Sequence, residues 1–258
     1  MSYTGKYALV TGGGSGMGRV AAQQFAAAGA QVAILDVNEP GMAETAAGND
    51  NIHCYTVDIT DYDAVCAAVA DFESKCGPLD RVYNCAAIMP FGKLAEQDPA
   101  VCNKIMQINY GGLVAITRAT LPGMLERGRG DFVSFASAAG LIPALLVGAY
   151  NASKAAVAMY TEVLYHENLN SGVRFACVCP PAVATPLLEQ GRATAWPKVM
   201  EMSEGEEIAP EEVLSEIESD LDKGRFWVLV NRRTRFGAWM RRVFPNLVWK
   251  QIHQIEGW

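Results

Sequence analysis

TGGGSGMG, Thr11 to Gly18, follows the short apolar run KYALV and precedes the helix-forming run AAQQFAAAG, which stops at Gly29. Gly12, Gly16 and Gly18 are spaced TGxxxGxG. Glycines let a backbone turn sharply and come close to a ligand. The helix that follows offers free N–H groups and the positive end of its dipole to an anion. A strand, this loop and a helix in that order fit a pyrophosphate cradle. The alternative reading is a strand–helix turn that is merely tight.

Working outward, the second apolar run, AQVAILD, ends at Asp36, 18 residues after Gly18. An acid at about that spacing accepts hydrogen bonds from the ribose hydroxyls of a dinucleotide and repels a 2′-phosphate. Val37 and Asn38 supply no cation for such a phosphate, nor does Ser15 in the glycine loop. These residues predict NAD rather than NADP, with a strand-end cap as the alternative role for Asp36.

Further strand-like runs are NIHCYTVDIT, LDRVYNCAA, GDFVSFASAAG, VRFACVCPPA and RFWVLV. Helical patterns separate them, from the cap Asp61 to Gly77 and over about 98–125 and 150–170. The alternation predicts the α/β class. It specifies one doubly wound, Rossmann-type domain, with a mostly parallel seven-stranded sheet and helices on both faces. That domain is expected over residues 1–230, with a substrate-loop insertion at about 186–209. Residues 231–258 form a basic amphipathic tail of the same domain.

Composition agrees with a globular protein: 258 residues, half hydrophobic and 19% charged. No apolar run reaches the roughly 20 residues that span a bilayer, and the first residues do not read as a signal peptide. The seven cysteines are scattered without a CxxC pair, and the three histidines lie far apart. No metal site is expected, and reduced thiols point to a cytoplasmic protein. Cys177 and Cys179 read as strand neighbours on opposite faces. Net charge is −7, yet residues 223–258 carry eight lysines and arginines against one acid, Glu256. No nucleic-acid recognition motif accompanies those cations, so no nucleic-acid partner is expected.

YNASK, 150–154, places Tyr150 and Lys154 four residues apart. On a helix such residues are neighbours, and a lysine stem can simply pack along a tyrosine ring. Equally, a nearby ammonium favours the phenolate and makes the tyrosine a usable acid or base.

Taken together, these motifs resemble the short-chain dehydrogenase/reductase family in its roughly 250-residue form, over nearly the whole chain. TGxxxGxG is followed in order by Asp58 in VDIT, NCAA (Asn84–Ala87) and Asn109 in IMQINYGG. Ser137 in FASAAG comes next, then Tyr150, 13 residues later, and Lys154. The resemblance implies NAD held by Thr11, Gly12, Ser15, Gly16, Met17, Gly18, Asp36, Asp58, Ile59, Asn84 and Ala86. Tyr150, Lys154, Pro180, Val183 and Thr185 complete that set. It implies Tyr150 as catalytic acid or base, its pKa lowered by Lys154 and a positive nicotinamide, and Ser137 bonded to the substrate oxygen. Asn109 would hold a water linking the lysine to solvent. In isolation Ser137 and Asn109 also fit a satisfied buried serine and a helix-kinking polar residue. Two motifs depart from the family pattern. Cys85 and Ala87 stand in place of an asparagine and a glycine, and Pro181 replaces the glycine after Pro180.

Three segments are expected to line a substrate pocket: IMPF, LIPALLVG and PLLEQGRATAWPKVMEM. Met89, Leu141, Leu145, Leu188, Trp196 and Met200 are its candidate side chains, with Arg192 as one cation within reach. The set predicts a bulky, small-molecule apolar secondary alcohol or ketone of steroid, terpenoid or aryl-alkyl kind. An NADPH-dependent carbonyl reductase and a non-catalytic NAD-binding regulator are the alternatives. SKAAVAMYTEVLYHENL carries small and apolar residues on more than one face, and the resemblance implies a homo-oligomer paired through it. In the tail, Phe236, Trp239, Met240 and Val243 form one helical stripe. Pro245 should break it before Leu247, Val248, Ile252 and Ile255 begin another. Such a tail would fold over the pocket, clasp a neighbouring subunit or lie peripherally on a membrane.

Overall fold

The computed structural model describes residues 5–202 and 204–258. The order is β1 (Tyr7–Thr11), α1 (Gly16–Ala27), β2 (Gln31–Asp36), α2 (Glu39–Ala46), β3 (Ile52–Thr56), α3 (Tyr62–Lys75) and β4 (Arg81–Asn84). Next, α4 (Pro99–Met106) runs through a π-turn (Gln107–Gly111) into α5 (Gly112–Arg127), followed by β5 (Gly130–Phe135), α6 (Gly148–Glu167) and β6 (Val173–Val178). Then come α7 (Pro186–Arg192), α8 (Lys198–Glu201), α9 (Pro210–Asp222), β7 (Trp227–Val228), α10 (Arg232–Val243) and α11 (Pro245–Glu256).

The seven strands form one sheet in the order β3-β2-β1-β4-β5-β6-β7, and every pairing is parallel. The order reverses between β1 and β4, where open α/β sheets bind ligands beyond the carboxyl ends of their strands. Strand alternation divides the core in two. Val10 and Ile34 pack against Phe25 of α1 and Ile217 of α9. Leu9 and Leu35 pack against Phe72 of α3 and Ile116 of α5.

Details differ from the sequence reading. Cys177 and Cys179 lie in the same core layer, because a period of two puts residues i and i+2 on one face. RFWVLV pairs only at Trp227 and Val228. The sequence reading passes over α2 and α9, although Val213, Ile217 and Leu221 repeat at helical spacing and are all buried. Asp61 caps α3 as expected, accepting from the Ala64 N–H at 3.0 Å. Pro245 separates α10 from α11, standing at the start of the second helix where its missing N–H costs nothing. Among the described residues, no helix is long and apolar enough to cross a membrane.

Candidate active site

The glycine loop is held by steric necessity. A Cβ on Gly18 would fall 2.2 Å from the Gly12 carbonyl oxygen, and Gly12 itself has φ +66°. Thr11 locks this loop to the next strand. Its hydroxyl donates to Asn84 Oδ1 at 2.9 Å and accepts from the Ala86 N–H at 3.0 Å. Ser15 stands at the N-cap of α1 without a side-chain cap bond, and the first turn of α1 carries no acid. Those N–H groups are therefore open to an anion without competition from the helix's own side chains, which fits a dinucleotide pyrophosphate. Gly16 approaches Thr185, whose Cβ would lie 3.2 Å from a Cβ added to that glycine. Val183 is buried and bridges Ile208, so the segment after β6 is anchored beside the glycine loop.

Asp36 ends β2 with its carboxylate beneath the loop, accepting from the Gly14 and Asn38 N–H groups at 2.9 Å each. The sequence reading overlooks Arg19. Its Nη2 donates to the carbonyls of Gly14 (2.6 Å) and Gly41 (3.2 Å) and pairs with Glu44 at 2.9 Å. Asp58 is exposed and accepts from the Thr60 N–H and hydroxyl, fixing the turn after β3. Ile59 is buried against Gly112, which leaves its backbone as the part available to a ligand.

Ser137, Tyr150 and Lys154 converge where β5 meets α6. The Ser137 hydroxyl lies near enough to the phenol of Tyr150 to favour its ionised form and accepts from the Ala139 N–H at 3.1 Å. Lys154 Nζ lies 5.8 Å from the centre of the Tyr150 ring and donates to the Phe135 carbonyl at 2.6 Å. Both side chains are buried. Burial pushes Tyr150 up to about 12, with the nearby Ser137 hydroxyl pulling the other way. Burial pushes Lys154 down to about 8, opposed by Cys85, Cys177 and Cys179. The expectation that Lys154 lowers the phenol's pKa therefore fails for the chain alone. The ammonium is spent on a backbone carbonyl, and desolvation of the phenolate dominates.

Asn109 sits in the π-turn between α4 and α5, a distortion frequent at functional sites. Its Oδ1 accepts from the Ile88 N–H at 2.8 Å, and its Nδ2 reaches the Ile88 carbonyl and Ser153 Oγ at 3.0 Å. It ties the segment after β4 to α6.

A cavity of about 480 Å³ opens from these residues. Met89, Leu188 and Met200 stand in its wall, as do Met17, Pro180, Val183 and Thr185 at the cofactor end. Leu141, Leu145 and Trp196 do not line it. Leu141 packs on the core beside the sheet, and the loop presents Ile142, Ala144 and Val147 instead. Trp196 stacks on Phe91 at 6.0 Å under the Arg192 guanidinium. Arg192 is itself paired with Glu189, Glu204 and Glu207, so it is no clamp for a substrate carboxylate. Cys85, Ala87 and Pro181 all face the cavity, which puts the family departures against the ligand. The tail contributes as well: Val248, Ile252 and Ile255 of α11 line the cavity, in line with the reading of a tail folded over the pocket. Their helical spacing was visible; the face they cover was not. Among the described residues, no group of His, Cys, Asp or Glu could hold a metal ion.

Comparison with known proteins agrees with this geometry. A 2-keto-3-deoxy-L-fuconate dehydrogenase of Xanthomonas campestris is 35% identical over 189 residues, 72% of this chain and 61% of that protein. The match thus spans less than two thirds of that relative. Estradiol 17-beta-dehydrogenase 11 of Pongo abelii is 28% identical over 95% of this chain and 81% of its own. A crystal structure of a Burkholderia phymatum short chain dehydrogenase/reductase in complex with NAD superposes with a TM-score of 0.85, at 25% identity, over 96% of each chain. The family model for short chain dehydrogenases matches residues 6–196, from the first strand through Ser137, Tyr150 and Lys154 to the pocket loop. With that match over the glycine loop, Ser137, Tyr150 and Lys154, the chain belongs to the short-chain dehydrogenases.

Proposed function

We propose that the chain is an NAD-dependent dehydrogenase that interconverts a bulky apolar secondary alcohol and its ketone. One observation carries the reading: Ser137, Tyr150 and Lys154 meet at the end of a cavity walled mainly by Ala, Ile, Leu, Met, Pro and Val. In oxidation Tyr150 takes the substrate's hydroxyl proton; in reduction it returns one. Ser137 holds the substrate oxygen and favours charge developing on it. A bound oxidised nicotinamide would accept the hydride and place a positive charge near the phenol. Lys154, held by Phe135, keeps its own charge beside the Tyr150 ring. Asn109 acts as a positioning residue, since its amide is occupied by Ile88 and Ser153.

Asp36 favours NAD. A 2′-phosphate would meet its carboxylate, while Arg19, the nearby cation, is engaged by Gly14, Gly41 and Glu44. The related structure bound to NAD supports the same choice. We expect a preference of at least ~100-fold in kcat/KM, or ~2.7 kcal/mol. Asp36→Ala should erode it, and equal wild-type rates with NADP would reject it. An NADPH-dependent reductase remains the alternative that this measurement decides.

The substrate class rests on the walls. The family model ends at residue 196, before α8 and α11, which close the cavity. A relative named for a sugar acid therefore speaks for the reaction more than for the pocket. A screen of steroids, terpene alcohols and aryl carbinols with NAD and NADP, read by absorbance of the reduced cofactor, tests this. Turnover confined to sugar acids would overturn the reading. No turnover of any alcohol would leave the non-catalytic regulator. We further propose a homo-oligomer through α6, where Met159 and Val163 are exposed. A monomeric mass by light scattering at micromolar concentration would reject it.

A further inference from the structure

Helices α10 and α11 form a hairpin whose two sides differ. On the inner side, Gly237 abuts Ile142 so closely that a Cβ would lie 2.7 Å from its Cδ1. Val248 and Ile252 are buried in the cavity wall. At its end, Glu256 accepts from the Lys198 and Val199 N–H groups at 3.1 and 3.0 Å. On the outer side, Phe236, Trp239, Val243, Phe244 and Leu247 stand 46–62% exposed. Three of them adjoin, with ring centres 5.9 Å apart from Phe236 to Trp239 and from Trp239 to Phe244. A cluster of large apolar side chains left in water marks an interaction surface.

The cations of the hairpin indicate the partner. Arg233 and Arg235 pair with Glu206 and Glu216. Arg232, Arg241, Arg242 and Lys250 make no ion pair among the described residues, and Glu256 is the hairpin's one acid. Trp and Phe beside unpaired Arg on a helix suit an anionic lipid interface. A two-fold dimer through this face would set the arginines of one copy against those of the other.

We propose that the outer face of the α10–α11 hairpin docks on an anionic lipid surface. Arg232, Arg241, Arg242 and Lys250 meet the headgroups. Phe236, Trp239 and Phe244 enter the boundary with the acyl chains. The same hairpin walls the cavity, so an apolar alcohol dissolved in the lipid would enter beside it. That last consequence rests on the proposed substrate class; the docking does not.

The full chain should be sedimented with vesicles of phosphatidylcholine containing about 30% phosphatidylserine, and with phosphatidylcholine alone, at low and high salt. Binding is expected to the mixed vesicles at low salt, with the tryptophan emission shifted to the blue. It should weaken at least ~10-fold without phosphatidylserine and in Arg241→Glu/Arg242→Glu, given the contribution of each surface cation. Trp239→Ser/Phe244→Ser should lose it too. Both variants should keep the circular dichroism and Tm of the parent, which separates lost docking from lost folding. An intact chain that stays in solution, or variants that bind as well as it does, overturns the proposal. So does a doubled mass in light scattering that Trp239→Ser/Phe244→Ser abolishes, which would assign the face to a second copy. No turnover is read, so failure of the alcohol assignment leaves these outcomes unchanged.

Discussion

Burial drives the two reactive side chains in opposite directions, Tyr150 up to about 12 and Lys154 down to about 8. A phenol so placed needs added positive charge before it can serve as a base. Oxidised NAD should therefore release a proton as it binds, and should bind more tightly as pH rises. Titration calorimetry across pH 7–10 should show the dependence in the parent and a smaller one in Tyr150→Phe. The same variant should retain cofactor binding and lose turnover; more than a few per cent of residual activity would reassign the base. Lys154 carries a separate consequence for stability. Between about 8 and its ordinary 10.5, the unfolded lysine holds a proton that the folded one has released. Stability contributed by this site thus rises with pH through that window, by on the order of 2–3 kcal/mol. Above pH 10 the raised Tyr150 acts the other way, since the unfolded phenol ionises first. Denaturant melts of the parent and Lys154→Met between pH 8 and 10 should differ in slope, the variant losing the rise.

At the scale of elements, the cavity depends on how α8 and α11 are joined. Helix α8 spans Lys198–Glu201 and is too short to stand without a partner. The Glu256 carboxylate satisfies its first two N–H groups, and Lys198 Nζ returns to the Glu256 carbonyl at 3.3 Å. Glu256→Ala removes the cap, a change that costs ~1 kcal/mol in comparable helices. We expect KM for a bulky alcohol to rise several-fold while kcat changes less, because Ser137, Tyr150 and Lys154 lie on other elements. Steady-state kinetics on the intact chain checks this; a fall in kcat at constant KM would show that α11 shapes the chemistry rather than the pocket.

For the whole molecule, the two ends of the sheet divide the work. The carboxyl ends of β1, β2, β4 and β5 hold the site. At the other end, buried Arg81 donates to Asp131 at 3.0 and 2.6 Å and pairs with Glu218, while Arg174 reaches Asp131 at 2.6 and 2.9 Å. The Arg81 guanidinium also stands 5.5 Å from the centre of the Phe25 ring. Removing one partner from a buried pair leaves a desolvated charge and costs about 3–5 kcal/mol. Asp131→Ala should lower Tm markedly in thermal melts, with cofactor affinity unchanged at temperatures where the variant is folded. A weakened affinity would mean that the network supports the site through the strands.

The local chain determined the fold class and the candidate centre of Ser137, Tyr150 and Lys154. Glycines 12 and 18 are required where backbone meets backbone and Gly16 by its positive φ beside Thr185, strand–helix alternation follows from short-range periodicity, and Tyr150 and Lys154 are neighbours on any helix. Such features depend on a few bonds, so order and spacing are enough to read them. Tertiary structure decided the rest. The ionisation of Tyr150 depends on what surrounds it in three dimensions, and desolvation overrode the nearby lysine. Leu141 and Trp196 have the composition of a pocket but turn toward the core and toward Phe91. Val248, Ile252 and Ile255, nearly a hundred residues from Lys154, close its cavity. Which face of an amphipathic stripe is covered, and by what, depends on contacts between distant segments, and the stripe alone does not encode them.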